Sequence, residues 1–168
     1  MIKIIDNFFE EKLFLNIKNH VTTKLFYTPR HFENATEKNE KNYYGSRFIL
    51  SEDPELLKTF VTQAEKKFKI KIKNVHSDSG IDMRNLLDFK PHVDENCILN
   101  IMVMLSGPTA VTNGTVFYTD GELDTHVGFR QNRAITFPST QYHSPHASNI
   151  PNLKRYTASL FVSDYEEV

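Results

Sequence analysis

Apolar residues recur at two spacings along this chain, and the spacing changes near residue 80. In the first part they fall three or four apart, the period of a helix with one buried face. Leu13, Phe14, Ile17 and Val21 share such a face and predict a helix over residues 10–21. Leu56, Leu57, Phe60, Val61, Ala64 and Phe68 predict a second one. Asp53 can accept from the free N–H groups at its start, and Pro54 suits its first position. Short strands are expected at residues 2–5 and 47–50. Residues 28–46 between them are polar and predict a long loop, a common form for a lid.

Beyond the second helix the period becomes two. Ile70–Val75 alternates Ile-Lys-Ile-Lys, as a half-buried strand does. Ser77-Asp78-Ser79-Gly80 predicts a turn. Strands are then expected at residues 83–89, 98–105, 115–118, 133–137, 141–146 and 155–162. Gly107-Pro108, Asn113-Gly114 and Asp120-Gly121 punctuate them. Many short strands with frequent turns predict a mainly β fold, a sandwich or barrel, with two N-terminal helices packed on one face.

Composition narrows the class. The 168 residues are 39% hydrophobic, enough for one core, and neither a repeat nor a low-complexity linker divides them. Residues 1–168 are therefore expected to be a single domain. The net charge of −1 gives no bulk attraction to phosphate backbones, so nucleic acid is not an expected partner. Lys66, Lys67, Lys69, Lys71 and Lys73 crowd one segment, which reads as a solvated helix end and edge strand. A single cysteine, Cys97, excludes an intrachain disulfide and reads as a small core residue. His20 reads as a surface residue near the end of the first helix, and His31 and His76 read as solvent-exposed. With neither a signal peptide nor a membrane span in view, a soluble cytoplasmic protein is expected.

The candidate chemistry lies in the second half. His92 and Asp94 are two apart, so an extended backbone points both to one side and lets them share an ion. His143 and His146 lie about fifty residues on, followed by Arg155 at the head of an apolar strand. Two imidazoles and one carboxylate make the facial triad of mononuclear Fe(II) sites, which leaves positions open on the metal. A structural zinc site would instead call for cysteines. His143 and His146 are three apart, so a strand turns them to opposite sides and only one is expected to join the ion.

Four pieces carry a resemblance to a known family. They are Ile4-Ile5-Asp6-Asn7-Phe8-Phe9 ahead of a helix, His92-Val93-Asp94, Asn113-Gly114-Thr115-Val116-Phe117, and a closing block. That block runs from Arg133 to Ser139, then through His143-Ser144 to Arg155-Tyr156-Thr157. In this order they resemble the 2-oxoglutarate/Fe(II)-dependent dioxygenases of the prolyl-4-hydroxylase-like superfamily. The resemblance implies a double-stranded β-helix (jelly roll) with iron at the mouth of the barrel. It implies Fe(II) on His92, Asp94 and a distal histidine, with 2-oxoglutarate as co-substrate and O2 as oxidant. It also implies that Arg155 grips the far carboxylate of 2-oxoglutarate, a task suited to a forked guanidinium.

Thr157 and Ser159 share the strand face of Arg155 and are candidate contacts to the co-substrate. The tyrosines usual on the strand after His-x-Asp are missing here. Asn100 and Met102 are expected at the pocket edge, with Tyr118 a candidate hydroxyl. The Phe-Pro-Ser phase favours His143 as distal ligand. The nine-residue step from His146 to Arg155 matches hypoxia-type prolyl hydroxylases and keeps His146 as the alternative. Asn113 stands where the family has glycine and is expected to tolerate a left-handed turn.

The expected reaction is hydroxylation of a C–H bond, with succinate and CO2 as co-products. A peptidyl proline leads as substrate, ahead of a free amino acid or other small molecule. Arg30, Tyr43 and Tyr44, with His126 and Arg130, are candidate recognition residues on loops at the site mouth. Two rivals are a cupin-like metalloprotein of other activity and a non-catalytic jelly-roll binding module. The first predicts that Arg155 does not reach the metal pocket; the second, that the three donors do not converge.

Overall fold

The structure is a computed structural model that describes residues 1–29, 45–84, 91–110, 113–146 and 154–168. The described chain begins with β1 (Lys3–Ile5), α1 (Glu11–Thr23), β2 (Thr28–Pro29) and β3 (Gly45–Ile49). After a 3-10 turn come α2 (Pro54–Phe68), β4 (Ile70–Val75) and β5 (Gly80–Arg84). The second half holds β6 (Leu99–Ser106), β7 (Thr115–Thr119), β8 (Glu122–Val127), β9 (Arg133–Pro138), β10 (His143–Pro145) and β11 (Arg155–Glu167).

An antiparallel eight-stranded sheet runs β1-β9-β6-β11-β5-β3-β2, with β4 also paired to β11. A three-stranded sheet, β10-β7-β8, packs against it. This is the expected jelly roll. Alternation along β6 explains its layers. Ile101, Val103 and Leu105 join the core beneath the helices, with Phe14, Ile17, Val21, Phe60 and Ala64. Met102 and Met104 point the other way, to Phe117, Phe129, Ile135 and Phe137 between the sheets. On β11, Tyr156, Ala158 and Leu160 serve the helix side. Arg155, Thr157 and Ser159 therefore face the interior, where all three are buried.

The helix predictions hold with one change. Asp53 caps α2 by accepting from Leu56 N–H at 3.0 Å, and Pro54 opens it. Leu13 does not share the buried face of α1; it is 39% exposed. The strand predictions change more. The segment expected at 83–89 begins earlier, at Gly80, and its described part ends at Arg84; residues 85–89 lie outside the described residues. The strand expected over 141–146 is only His143–Pro145. β8 was not anticipated. Asp120 (φ 53°) and Gly121 (φ 84°) form a two-residue left-handed turn that folds Glu122–Val127 back on β7. Asn113 does not use a left-handed backbone; its amide donates to Pro108 O at 3.2 Å.

The opening motif docks the N-terminus. Phe8 and Phe9 are fully buried, and Asn132 clasps Phe9 by accepting its N–H at 2.8 Å and donating to its carbonyl at 2.9 Å. Asp6 accepts from Arg133 Nε at 2.6 Å and Arg130 Nη1 at 2.8 Å. Arg130 thus helps to dock the N-terminus. The lysines of β4 are exposed and paired, Lys71 with Glu65 and Lys73 with Glu166, as expected of a solvated edge. Among the described residues no helix is long and apolar enough to cross a membrane.

Candidate active site

His92 and His143 are far apart in sequence but meet as an antiparallel bridge. His92 N–H donates to His143 O at 3.0 Å, and His143 N–H donates back at 2.9 Å. Their rings lie side by side, with centroids 4.6 Å apart. Asp94, two residues on, is anchored by its N–H to Ser139 O at 3.1 Å. The result is a cluster of three donors whose ligand atoms all lie within 4.8 Å of one another. Asp94 Oδ2 is 3.5 Å from His143 Nε2, and Oδ1 is 4.0 Å from His92 Nε2.

The neighbours prepare this cluster for a cation. His143 is wedged against Phe137 and Phe117. Its Nδ1 lies 3.0 Å from Gln141 O, so this nitrogen carries the proton and Nε2 faces the carboxylate with a lone pair. Burial pushes the His143 imidazole well below the ordinary histidine range, with Asp94 opposing. The ring is therefore neutral at neutral pH, as a metal ligand must be. Asn100 Nδ2 donates to Asp94 Oδ2 and steadies the carboxylate. The donor set, two imidazoles and one carboxylate, fits a borderline ion such as Fe(II).

A cavity of about 690 Å³ opens beside the cluster. Arg155 lines it, together with Asn100, Met102, Thr115 and Ser159. The Arg155 guanidinium is 5% exposed and lies over the Phe129 ring at 5.4 Å. It donates to Gly114 O at 2.9 Å and Thr115 Oγ1 at 3.3 Å, while its buried Nε has no partner. No carboxylate pairs with it among the described residues. Burial, and Arg84 beside it, push it down to about 9. A buried cation held this way gains from an anion placed against it.

The cavity holds residues the sequence reading passed over. Arg47 grips Asp82 through Nε–Oδ1 at 2.6 Å and Nη2–Oδ2 at 2.8 Å. Arg84 reaches the same carboxylate at 3.1 Å. Burial opposes the Arg47 charge, but Asp82 prevails and holds its pKa above the ordinary value. Arg47 and Arg84 alternate with apolar residues on β3 and β5, so period-2 reasoning could have turned both inward. His76, expected in solvent, also lines the cavity and accepts from Asp78 N–H.

Other candidates fall elsewhere. Tyr118 alternates with Phe117, and its hydroxyl lies 3.1 Å from Ser144 Oγ rather than in the cavity. Thr157 is buried on the Arg155 face but does not line the cavity. His146 does not join the three donors; its Nδ1 lies 3.3 Å from His126 Nε2. His20 is a surface residue in the last turn of α1, as expected, with its Nε2 3.1 Å from Asp53 Oδ2. Burial, then the Asp94 charge, raise the Cys97 thiol to about 11, which keeps it from being a nucleophile. Arg30, His31, Tyr43 and Tyr44 lie outside the described residues.

No sequence-family model matches the chain, and no curated protein matches it. Solved structures do. A prolyl hydroxylase from Trichoplax adhaerens, in complex with a hypoxia inducible factor peptide fragment, superposes with a TM-score of 0.66 at 11% identity. The match covers 97% of this chain and 83% of that one. HygX from Streptomyces hygroscopicus, with nickel and 2-oxoglutarate bound, gives 0.66 at 9% identity over 99% and 83%. A 2OG-Fe(II) oxygenase family oxidoreductase from Burkholderia pseudomallei gives 0.67 at 11% over 98% and 84%. This chain has the double-stranded β-helix fold of the 2-oxoglutarate/Fe(II) oxygenases.

Proposed function

We propose that this protein is a non-haem Fe(II) and 2-oxoglutarate-dependent oxygenase that hydroxylates a C–H bond. The observation that carries the reading is a buried guanidinium without a carboxylate partner, lining the same cavity as a His-Asp-His cluster. In this reading His92, Asp94 and His143 hold the iron. Arg155 receives the far carboxylate of 2-oxoglutarate through its fork, and the Ser159 hydroxyl lies in reach of the same cavity. When bound, iron with 2-oxoglutarate and O2 supplies the oxidising chemistry, with succinate and CO2 as co-products. The protein's own residues bind and orient. Gln141 O fixes the His143 tautomer, Asn100 aims Asp94, and Phe117 and Phe137 keep water from the back of His143. A cupin-like metalloprotein without co-substrate is disfavoured by the presence of Arg155 in the cavity.

The first substrate class is a peptidyl proline, supported by the prolyl hydroxylases that share this fold. A cavity of about 690 Å³ has room for a side chain beside a bound co-substrate. The test is aerobic incubation with Fe(II), 2-oxoglutarate and a set of proline-containing peptides, read by mass spectrometry. The expected result is succinate formation together with a peptide heavier by one oxygen. Succinate without a modified peptide moves the substrate to a small molecule. No succinate from folded, iron-loaded protein rejects the reading.

A further inference from the structure

The pair His126 and His146 lies outside the cavity and outside the three-donor cluster. We propose that these two imidazoles form a second cation site, which takes a borderline divalent transition ion such as Zn2+, Ni2+ or Cu2+.

The geometry is that of a chelate. His126 lies on β8 and His146 just past β10, with β7 between them. His146 Nδ1 and His126 Nε2 face one another at 3.3 Å, with the rings at 85°. Two imidazole nitrogens at about 2.0–2.1 Å from a tetrahedral zinc ion are separated by roughly 3.3–3.4 Å. The observed spacing thus matches two arms of a tetrahedral site, with water left to fill the rest. Two facing ring nitrogens can share only one proton, and a cation that accepts both lone pairs replaces that single hydrogen bond.

The backbone holds the pair in place. His146 N–H donates to Gly114 O at 3.0 Å. Gly114 also gives His126 its room, because a Cβ there would lie 2.8 Å from His126 Nε2. Burial, then the neighbouring His146 and Arg155, lower the His126 pKa from its ordinary value, which favours the uncharged form a metal takes. The Irving–Williams order places Cu2+ above Ni2+, and Zn2+ below Cu2+, at such nitrogen sites. The site is joined to the cavity wall, since the same Gly114 carbonyl accepts Arg155 Nη1 at 2.9 Å.

The test is calorimetric titration of Zn2+ into wild type, His126→Ala and His146→Ala, with circular dichroism confirming the fold of each. Each variant is expected to take one Zn2+ per chain fewer than wild type. Uptake by either folded variant equal to that of wild type overturns the proposal. Should one variant not fold, glutamine at the same position replaces alanine in the titration. A parallel titration of His143→Ala removes a donor of the proposed iron site and so reads the His126–His146 site alone. Failure of that site and failure of this one are therefore separate results.

Discussion

A lysine at position 155 would keep the positive charge and lose the fork. Arg155 spreads its donors over Gly114 O, Thr115 Oγ1 and the cavity, which a single ammonium cannot do. Arg155→Lys is expected to weaken 2-oxoglutarate binding by about tenfold or more, or about 1.4 kcal/mol. Iron uptake should be unchanged. Equilibrium titration of the two ligands separates these effects. At this scale the placement of His92, Asp94 and Arg155 on one cavity was legible, because a two-residue spacing and a strand head are local patterns. The choice between His143 and His146 was not, since both sit on one short segment. The His92–His143 bridge brings His143, not His146, beside His92, and that contact spans a sequence gap no local pattern encodes. Asn100 and Met102 line the cavity, as their place on the strand after His-x-Asp led one to expect. Tyr118 lies away from the cavity, as simple alternation with Phe117 would have indicated.

Where β7 begins, the chain passes tightly against the end of β8. A Cβ on Gly114 would run into the Val127 carbonyl, which is backbone and has to shift. Gly114→Ala is therefore expected to cost about 1–3 kcal/mol of stability. It should also reduce the stabilisation that 2-oxoglutarate confers, since Gly114 O holds Arg155. Thermal melts with and without the co-substrate check both effects. The N-terminal strand gives a pH-dependent prediction. The hydrogen bond from Arg133 is the largest influence holding the Asp6 carboxyl below its ordinary value, with Arg130 adding to it. Its stabilisation is present above the unfolded carboxylate range and is lost as pH falls through the lower, folded value. Asp6→Asn should be less stable by about 1 kcal/mol at neutral pH. The difference should vanish at strongly acid pH, as urea denaturation at stepped pH would read. Helices and core strands were legible from period alone. β8 was not, because Glu122 and Asp124 make its exposed face read as loop; the Asp120-Gly121 turn was the signal for it.

On the scale of the whole molecule, a net charge of −1 conceals an uneven interior. Arg47, Arg84 and Arg155 line one cavity, and composition averages them away. Binary pattern and turn residues were enough to predict a mainly β sandwich or barrel with helices on one face, and the family resemblance narrowed it to a jelly roll. The cavity came only from the way β3, β5, β6 and β11 bring distant residues to one side. Its location beside a cluster of three metal-type donors is the central claim, because either feature alone admits other functions. Anaerobic addition of Fe(II) and then 2-oxoglutarate, read by visible absorption, tests their conjunction. The account predicts a weak charge-transfer band that saturates at one 2-oxoglutarate per chain and is absent from His143→Ala. A folded, iron-loaded wild type that shows no such band would contradict it.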